Sequence, residues 1–172
     1  AYTSFGGDIL QIEATRFTGK GRLVLTGQLG DVMKESASIA LDYVRTHANE
    51  FKIDPKLFEE NDVHIHVPEG AVPKDGPSAG VTMTTALVSC FSNIPVKANL
   101  AMTGEVTLRG NVLPIGGLKE KSLAAHRSGI DTILIPKENV KDLDDVPQEV
   151  KDAVTFIPCS NVSQVLHNAL VK

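Results

Sequence analysis

Val63-His-Ile-His-Val67 is the sharpest alternation of apolar and polar positions in the chain. Val63, Ile65 and Val67 fall on one face of an extended segment and His64 and His66 on the other, because strand side chains repeat every second residue. The segment reads as a central strand. Pro68-Glu-Gly-Ala-Val-Pro-Lys-Asp-Gly-Pro77 follows it, with no periodicity and many residues that fix or free the backbone. A helix is expected after Ser78: Met83, Ala86, Leu87 and Cys90 keep helical spacing, and Ser92-Asn93 before Pro95 ends it.

Ahead of this strand, Phe5-Gly-Gly-Asp8 opens with flexible residues, and Ile9–Ala14 partly alternates as a half-buried strand does. Thr18-Gly-Lys-Gly21 is a turn cluster and Arg22–Thr26 a returning strand, which together predict a hairpin. Asp31 is the expected N-cap of the longest helix, which runs to about Phe51 with Ser36, Ile39, Ala40, Tyr43, Val44 and His47 on one stripe. Pro55–Asn61 adds a short helical turn.

Beyond the central helix, Asn99–Thr103 and Glu105–Arg109 are strand-like, Arg109-Gly-Asn111 turns, and Val112–Ile115 returns. Gly116-Gly117 leads into a helix that Gly129 closes. Ile130–Ile135 is an apolar strand, Pro136–Gln148 a charged helical stretch, and Val154–Ile157 a last strand. Ser160 is the expected cap of a final helix carrying Val162, Val165, Leu166, Ala169 and Leu170. Helices and strands mix without strict alternation, which argues for an α+β or mixed α/β chain and against a doubly wound sheet.

Composition narrows the function. A chain of 172 residues with 42% hydrophobic content suits one domain with a sizeable core. A net charge of −4 argues against nucleic acid or an acidic membrane as partner. No apolar run reaches the roughly 18 residues a membrane span needs, and no secretory signal is expected. Cys90 and Cys159 have neither metal nor redox spacing and read as two reduced, mostly buried thiols.

Candidate chemistry centres on Ser78. A serine after a Gly-Pro corner at a helix start has a plain role as a cap. Yet the loop before it is long and rigid for a mere connection, and a helix start offers backbone N–H groups that hold an oxyanion while a hydroxyl attacks a carbonyl. Such a nucleophile needs a base. His47 and His167 read as structural helix residues. His64 and His66 form an i, i+2 pair with no third ligand at a recognisable spacing, so hydrogen-bonded structural roles are favoured over metal. The other candidate is Lys121, which shares a stripe with Leu118, Ser122 and Ala125. Burial there favours the neutral amine, and moving a lysine from about 10.4 to about 7.5 costs about 4 kcal/mol.

Around these residues the chain resembles the Lon protease family. Pro73-Lys-Asp-Gly-Pro-Ser-Ala-Gly80 is similar to that family's serine motif. Ala101-Met-Thr-Gly-Glu-Val-Thr-Leu-Arg-Gly110 and Leu113-Pro-Ile-Gly-Gly-Leu-Lys-Glu-Lys121 are similar to the segments around its lysine. Thr26-Gly-Gln-Leu-Gly30, His64-Ile-His-Val-Pro-Glu-Gly70 and Leu123-Ala-Ala-His-Arg127 also fit. The resemblance implies one compact α+β domain over residues 1–172 with a mixed sheet, hairpins and flanking helices, a Ser78 nucleophile with Lys121 as general base, Thr103 orienting the lysine and Asp75 helping to control access. It implies no metal and no cofactor in this segment. No Gly-x-x-x-x-Gly-Lys-Ser/Thr phosphate loop occurs here, so the expectation is an excised C-terminal domain, with ATP and Mg used by an ATPase module elsewhere. The implied assembly is a homo-oligomeric, hexameric ring acting on unfolded, damaged or short-lived polypeptides. The absence of long insertions favours a bacterial, cytoplasmic setting over the mitochondrial matrix.

Two other readings stay open on the residues alone. Asp75-Gly-Pro-Ser-Ala-Gly80 at a helix start is also suited to cradling phosphate in a small-molecule kinase. Alternatively Ser78 is only a cap and the domain a non-catalytic assembly module.

Overall fold

The structure, a computed structural model, describes residues 2–3 and 6–171. Among the described residues the strands run in chain order as β1 (Tyr2–Thr3), β2 (Gly6–Gly7), β3 (Glu13–Thr18), β4 (Leu23–Thr26), β5 (Asn61–His66), β6 (Leu100–Met102), β7 (Glu105–Val106), β8 (Val112–Leu113), β9 (Thr132–Pro136) and β10 (Thr155–Cys159). The α-helices are α1 (Asp31–Thr46), α2 (Leu57–Glu60), α3 (Gly80–Ser92), α4 (Leu118–Arg127), α5 (Gln148–Ala153) and α6 (Val162–Ala169). A 3₁₀ helix spans Lys137–Asp145. This is an α+β chain with mixed sheets. The flexible opening read for Phe5–Asp8 falls partly outside the described residues, since Phe5 is not among them, while Gly6–Gly7 form β2.

The alternating segment is β5, and it is central: the first sheet has the order β3-β5-β4. Val63, Ile65 and Val67 are buried in the larger core, whereas His64 and His66 are half-buried on the other face. This arrangement overturns the hairpin predicted across Thr18–Gly21. β3 runs antiparallel to β5 and β4 runs parallel to it, so the two neighbours in sequence are parted by a strand that arrives much later. Asp62 explains the turn-like residues there. Its carboxylate accepts the amides of Lys20 at 3.0 Å and Arg22 at 2.8 Å, folding the loop around the base of β5. The strand predicted at Ile9–Ala14 begins only at Glu13. Leu10 and Ile12 pack on the larger core and Ile9 on the smaller one, so the alternation marks two cores rather than a ladder.

The second sheet, β10-β9-β6, is wholly parallel. A parallel strand covered on both faces reads as a continuous apolar run, and β9 is one. Its Leu134 belongs to the larger core, while Ile133 and Ile135 belong to the smaller core with Leu118, Ala125, Val146, Val150 and Val154. β9 is thus the wall between the cores. Helix α1 packs against α3 and supplies Met33, Ala37, Ala40, Tyr43 and Val44 to the larger one.

Helix boundaries differ from expectation where caps are concerned. α1 begins at Asp31 with Gly30 as N-cap and ends at Thr46, short of Phe51. α6 is capped by Asn161, whose side chain accepts the Gln164 amide at 2.9 Å; Gln164 Oε1 in return accepts the Ser160 amide. The reciprocal pair sits one residue later than the Ser160 cap read from sequence. The charged stretch Pro136–Gln148 holds the 3₁₀ helix, and a helix not read from sequence, α5, begins after Pro147. The β7–β8 hairpin is as expected: its turn closes with Gly110 N–H donating to Thr107 O at 2.9 Å, and Gly110 adopts φ +83°.

Candidate active site

Ser78 stands two residues before α3, at the end of the loop that leaves β5. The N-cap of α3 is Ala79, and no side-chain hydrogen bond caps the helix. A capping role for this serine is therefore not what the geometry holds. The helix start is fixed by main chain instead. Gly104 N–H donates to Ser78 O at 2.8 Å, and Val81 N–H donates to Gly104 O at 3.1 Å. Gly80 lies so close to Val106 that a Cβ there would approach the Val106 amide at 3.0 Å, which holds the serine turn tightly against the β6–β7 connection.

Those bonds narrow the choice of open amides near Ser78. The amides of Gly80 and Val81 are engaged, by Pro77 O and Gly104 O, and are not open to a ligand. Among the described residues, the amides of Ser78 and Ala79 carry no such partner.

Thr103, beside Gly104, is 9% exposed; its amide donates to Leu134 O at 3.1 Å, and its hydroxyl accepts a hydrogen bond from Lys121 Nζ at 3.2 Å. Lys121 sits in α4 next to Ser122, which is fully buried and donates its hydroxyl to Leu118 O at 2.6 Å. The stripe of Leu118, Lys121, Ser122 and Ala125 thus faces inward, as its spacing predicts. Burial pulls the Lys121 amine down from 10.5 to about 8. Gly117 starts this helix at φ +74°, a left-handed turn that a side chain would strain.

Ser78, Thr103 and Lys121 line one cavity of about 780 Å³, together with Asp75, Gly76, Ala79, Thr82 and Pro114. Ile9, Leu10, Leu100 and Met102 give the cavity an apolar side. Among the hydrogen bonds of the described residues none joins Ser78 to Lys121 directly; Thr103 bonds the lysine through its side chain and Gly104 bonds Ser78 through its main chain.

Asp75 is exposed, and its carboxylate accepts the amides of Met33 at 2.9 Å and Gly76 at 2.8 Å. Met33 is in the first turn of α1, whose own N-cap is a glycine without a side chain. Asp75 supplies that missing cap from across the fold, and these backbone hydrogen bonds hold its carboxyl below the usual carboxylate range. Gly30 is required there, since a Cβ would collide with the Asp75 carboxylate.

His64 and His66 meet at one hydroxyl: Thr26 Oγ1 lies 2.8 Å from His64 Nε2 and 2.6 Å from His66 Nδ1. His47 Nδ1 is 2.9 Å from Tyr43 O. Among the described residues no group of three or more His, Cys, Asp and Glu is arranged to hold a metal ion. Cys90 and Cys159 are free, and burial raises both thiols above their ordinary value. No helix among the described residues is long and apolar enough to cross a membrane.

Sequence reasoning missed Lys74. It is 8% exposed, and its Nζ donates to Gly27 O at 3.0 Å, Val72 O at 2.7 Å and Glu69 O. No periodicity marks a buried residue inside a loop, so the one available signal was its position within the serine motif.

Comparison with known proteins agrees with the quoted motifs. The model of the Lon protease (S16) C-terminal proteolytic domain matches residues 1–172. The chain is 60% identical over 172 residues to the Lon protease of Brevibacillus choshinensis, covering all of this chain and 22% of that protein. It is 58% identical over 171 residues to Lon protease 1 of Bacillus subtilis strain 168, covering 99% of this chain and 22% of that protein. With the Lon protease of Mycoplasma mycoides the identity is 62% over 165 residues, 96% of this chain and 21% of the relative. The chain thus spans about a fifth of the length of these curated relatives.

Proposed function

The chain belongs to the Lon protease family, matching its C-terminal proteolytic domain, and from that premise we propose that it is a serine endopeptidase domain working through a Ser78–Lys121 dyad. The single observation that carries the reading is the shared cavity, which Ser78 lines together with a lysine whose amine is pulled down to about 8.

The chemistry follows from that pairing. A neutral Lys121 amine takes the Ser78 hydroxyl proton as Oγ bonds to the carbonyl carbon of a peptide. The carbonyl π-electrons move to oxygen, where the amides of Ser78 and Ala79 supply donors for the developing charge. On collapse, the C–N bond breaks and the Lys121 ammonium returns its proton to the leaving amine. A water then attacks the acyl ester, giving its proton to Lys121; when the tetrahedral adduct breaks, that proton goes to Ser78 and the second product leaves as a carboxylic acid. Thr103 keeps the lysine aimed by accepting its N–H. The required approach of Ser78 to Lys121 is a tightening of the resting site, common when a substrate arrives.

The same reading extends to the longer protein that the relatives represent. There the domain acts in a homo-oligomeric, hexameric ring in the bacterial cytoplasm, hydrolysing unfolded, damaged or short-lived regulatory polypeptides. ATP and Mg serve an ATPase module outside these residues. Residues 1–172 act as one proteolytic unit. A phosphate-cradling role is not favoured, because the Asp75 carboxylate already accepts an amide at the start of α1.

Cleavage of an unstructured fluorogenic peptide tests the proposal. Ser78→Ala removes the activity with the fold intact, and Lys121→Arg does the same, because arginine stays protonated. Full activity in Lys121→Arg contradicts the lysine as base.

A further inference from the structure

Lys74 is a lysine where loop chemistry predicts a solvated side chain. Its ammonium is instead enclosed, and its three N–H bonds reach three carbonyls: Gly27 O on the β4–α1 connection, and Glu69 O and Val72 O at the start of the serine loop. Its main chain is tied to the same connection, with Lys74 N–H donating to Gln28 O at 3.0 Å and Gly30 N–H donating to Lys74 O at 2.7 Å. The next residue, Asp75, fastens the loop to α1. Ser78 follows three residues later.

We propose that Lys74 is a positioning residue for Ser78: its ammonium, held by the carbonyls of Gly27, Glu69 and Val72, fixes the loop that sets the nucleophile at the cavity. The inference rests on the serine-peptidase reading above. Lys74 does not line the cavity, so it acts through the loop and not on the substrate. The carbonyl cage suits a compact ammonium with three donors and does not suit a longer planar guanidinium. Residues 68–78 contribute no side chain to either hydrophobic core. Loss of the anchor therefore loosens the loop while leaving both cores packed. A displacement of a nucleophile by about 1 Å is enough to cost a large factor in rate.

The test is Lys74→Met, with Lys74→Arg as the second variant, read by peptide-cleavage kinetics and by the rate at which a serine-directed phosphonate labels Ser78. Both variants are expected to keep the wild-type circular dichroism. Each is expected to lower kcat by about tenfold, to leave KM within about twofold, and to slow labelling by the same factor as kcat. A fall in kcat of less than about threefold overturns the proposal, as does a raised KM with kcat unchanged. If both variants unfold, Lys74 is an element of global stability and the proposal also fails. The underlying reading is separated by the wild type: an unlabelled wild-type Ser78 contradicts the peptidase reading. A labelled wild type with equally fast labelling of Lys74→Met contradicts only the role given to Lys74.

Discussion

Lys121 Nζ donates to the Thr103 hydroxyl at 3.2 Å, and that bond aims an otherwise flexible four-carbon side chain into the cavity. Thr103 is itself held by Leu134, which belongs to the larger core, so the lysine is referenced to that core. Thr103→Val keeps the shape and removes the acceptor. The expected result is a kcat lowered by about tenfold with little change in unfolding midpoint, and recovery in Thr103→Ser. Steady-state kinetics on the three proteins checks it.

Burial of Lys121 also has a consequence for stability. Its amine titrates at about 8 in the fold, against 10.5 ordinarily, so between these values the unfolded chain binds more protons than the folded one. Stability contributed by this group therefore rises with pH across that window, and below about 8 the folded state carries the cost of a buried ammonium in full. Lys121→Met is expected to raise the unfolding midpoint by a few degrees at pH 7 and to gain less at pH 10. Thermal denaturation at the two pH values measures it; equal shifts at both contradict a desolvated amine.

Asp75 acts as the N-cap that Gly30 does not provide. Its carboxyl lies below the usual carboxylate range in the fold, so its contribution is present above the unfolded value and is lost as pH falls through the folded one. Asp75→Ala is expected to lower the unfolding midpoint by a few degrees at pH 7 and to lose that effect in strong acid. Because the same residue fastens the Ser78 loop, kcat falls with it. An Asp75→Ala protein with unchanged kcat restricts the residue to capping α1.

Gly7 packs against the backbone of α4 at Glu120 and Lys121, where an added Cβ would collide with Glu120 O. Gly7→Ala is expected to displace α4 and lower kcat by about tenfold or more, since the obstructing atoms are main chain and cannot swing aside. Gly70→Ala, which meets nothing within 4 Å, is the control and should leave kcat within about twofold.

Much of this was legible because particular residues obey strong local rules. β5 followed from strict alternation, α3 and α4 from helical spacing bounded by glycine and proline, and the β7–β8 hairpin from its turn. Other elements were hidden because non-local pairing decided them. Nothing between β3 and β4 signals that β5 will enter between them. Ile9, Leu10 and Ile12 alternate like a ladder yet divide between two cores. The Asp31 and Ser160 caps were misplaced by one residue because Asp75 and Asn161 supply the oxygens instead. At the site, the serine and lysine segments stood out as motifs, whereas Lys74 did not. Its burial is created by three carbonyls distant from any apolar pattern.

The central claim is that an uncharged Lys121 amine removes the Ser78 proton, and the pH dependence of Ser78 acylation tests it most directly. A serine-directed phosphonate applied across the pH range should label wild-type Ser78 at a rate that climbs through an apparent pKa of about 8 and then levels. Lys121→Met should label at least about a hundredfold more slowly and without that inflection. Labelling of Lys121→Met at the wild-type rate, or a wild-type profile with no inflection in this region, contradicts the account.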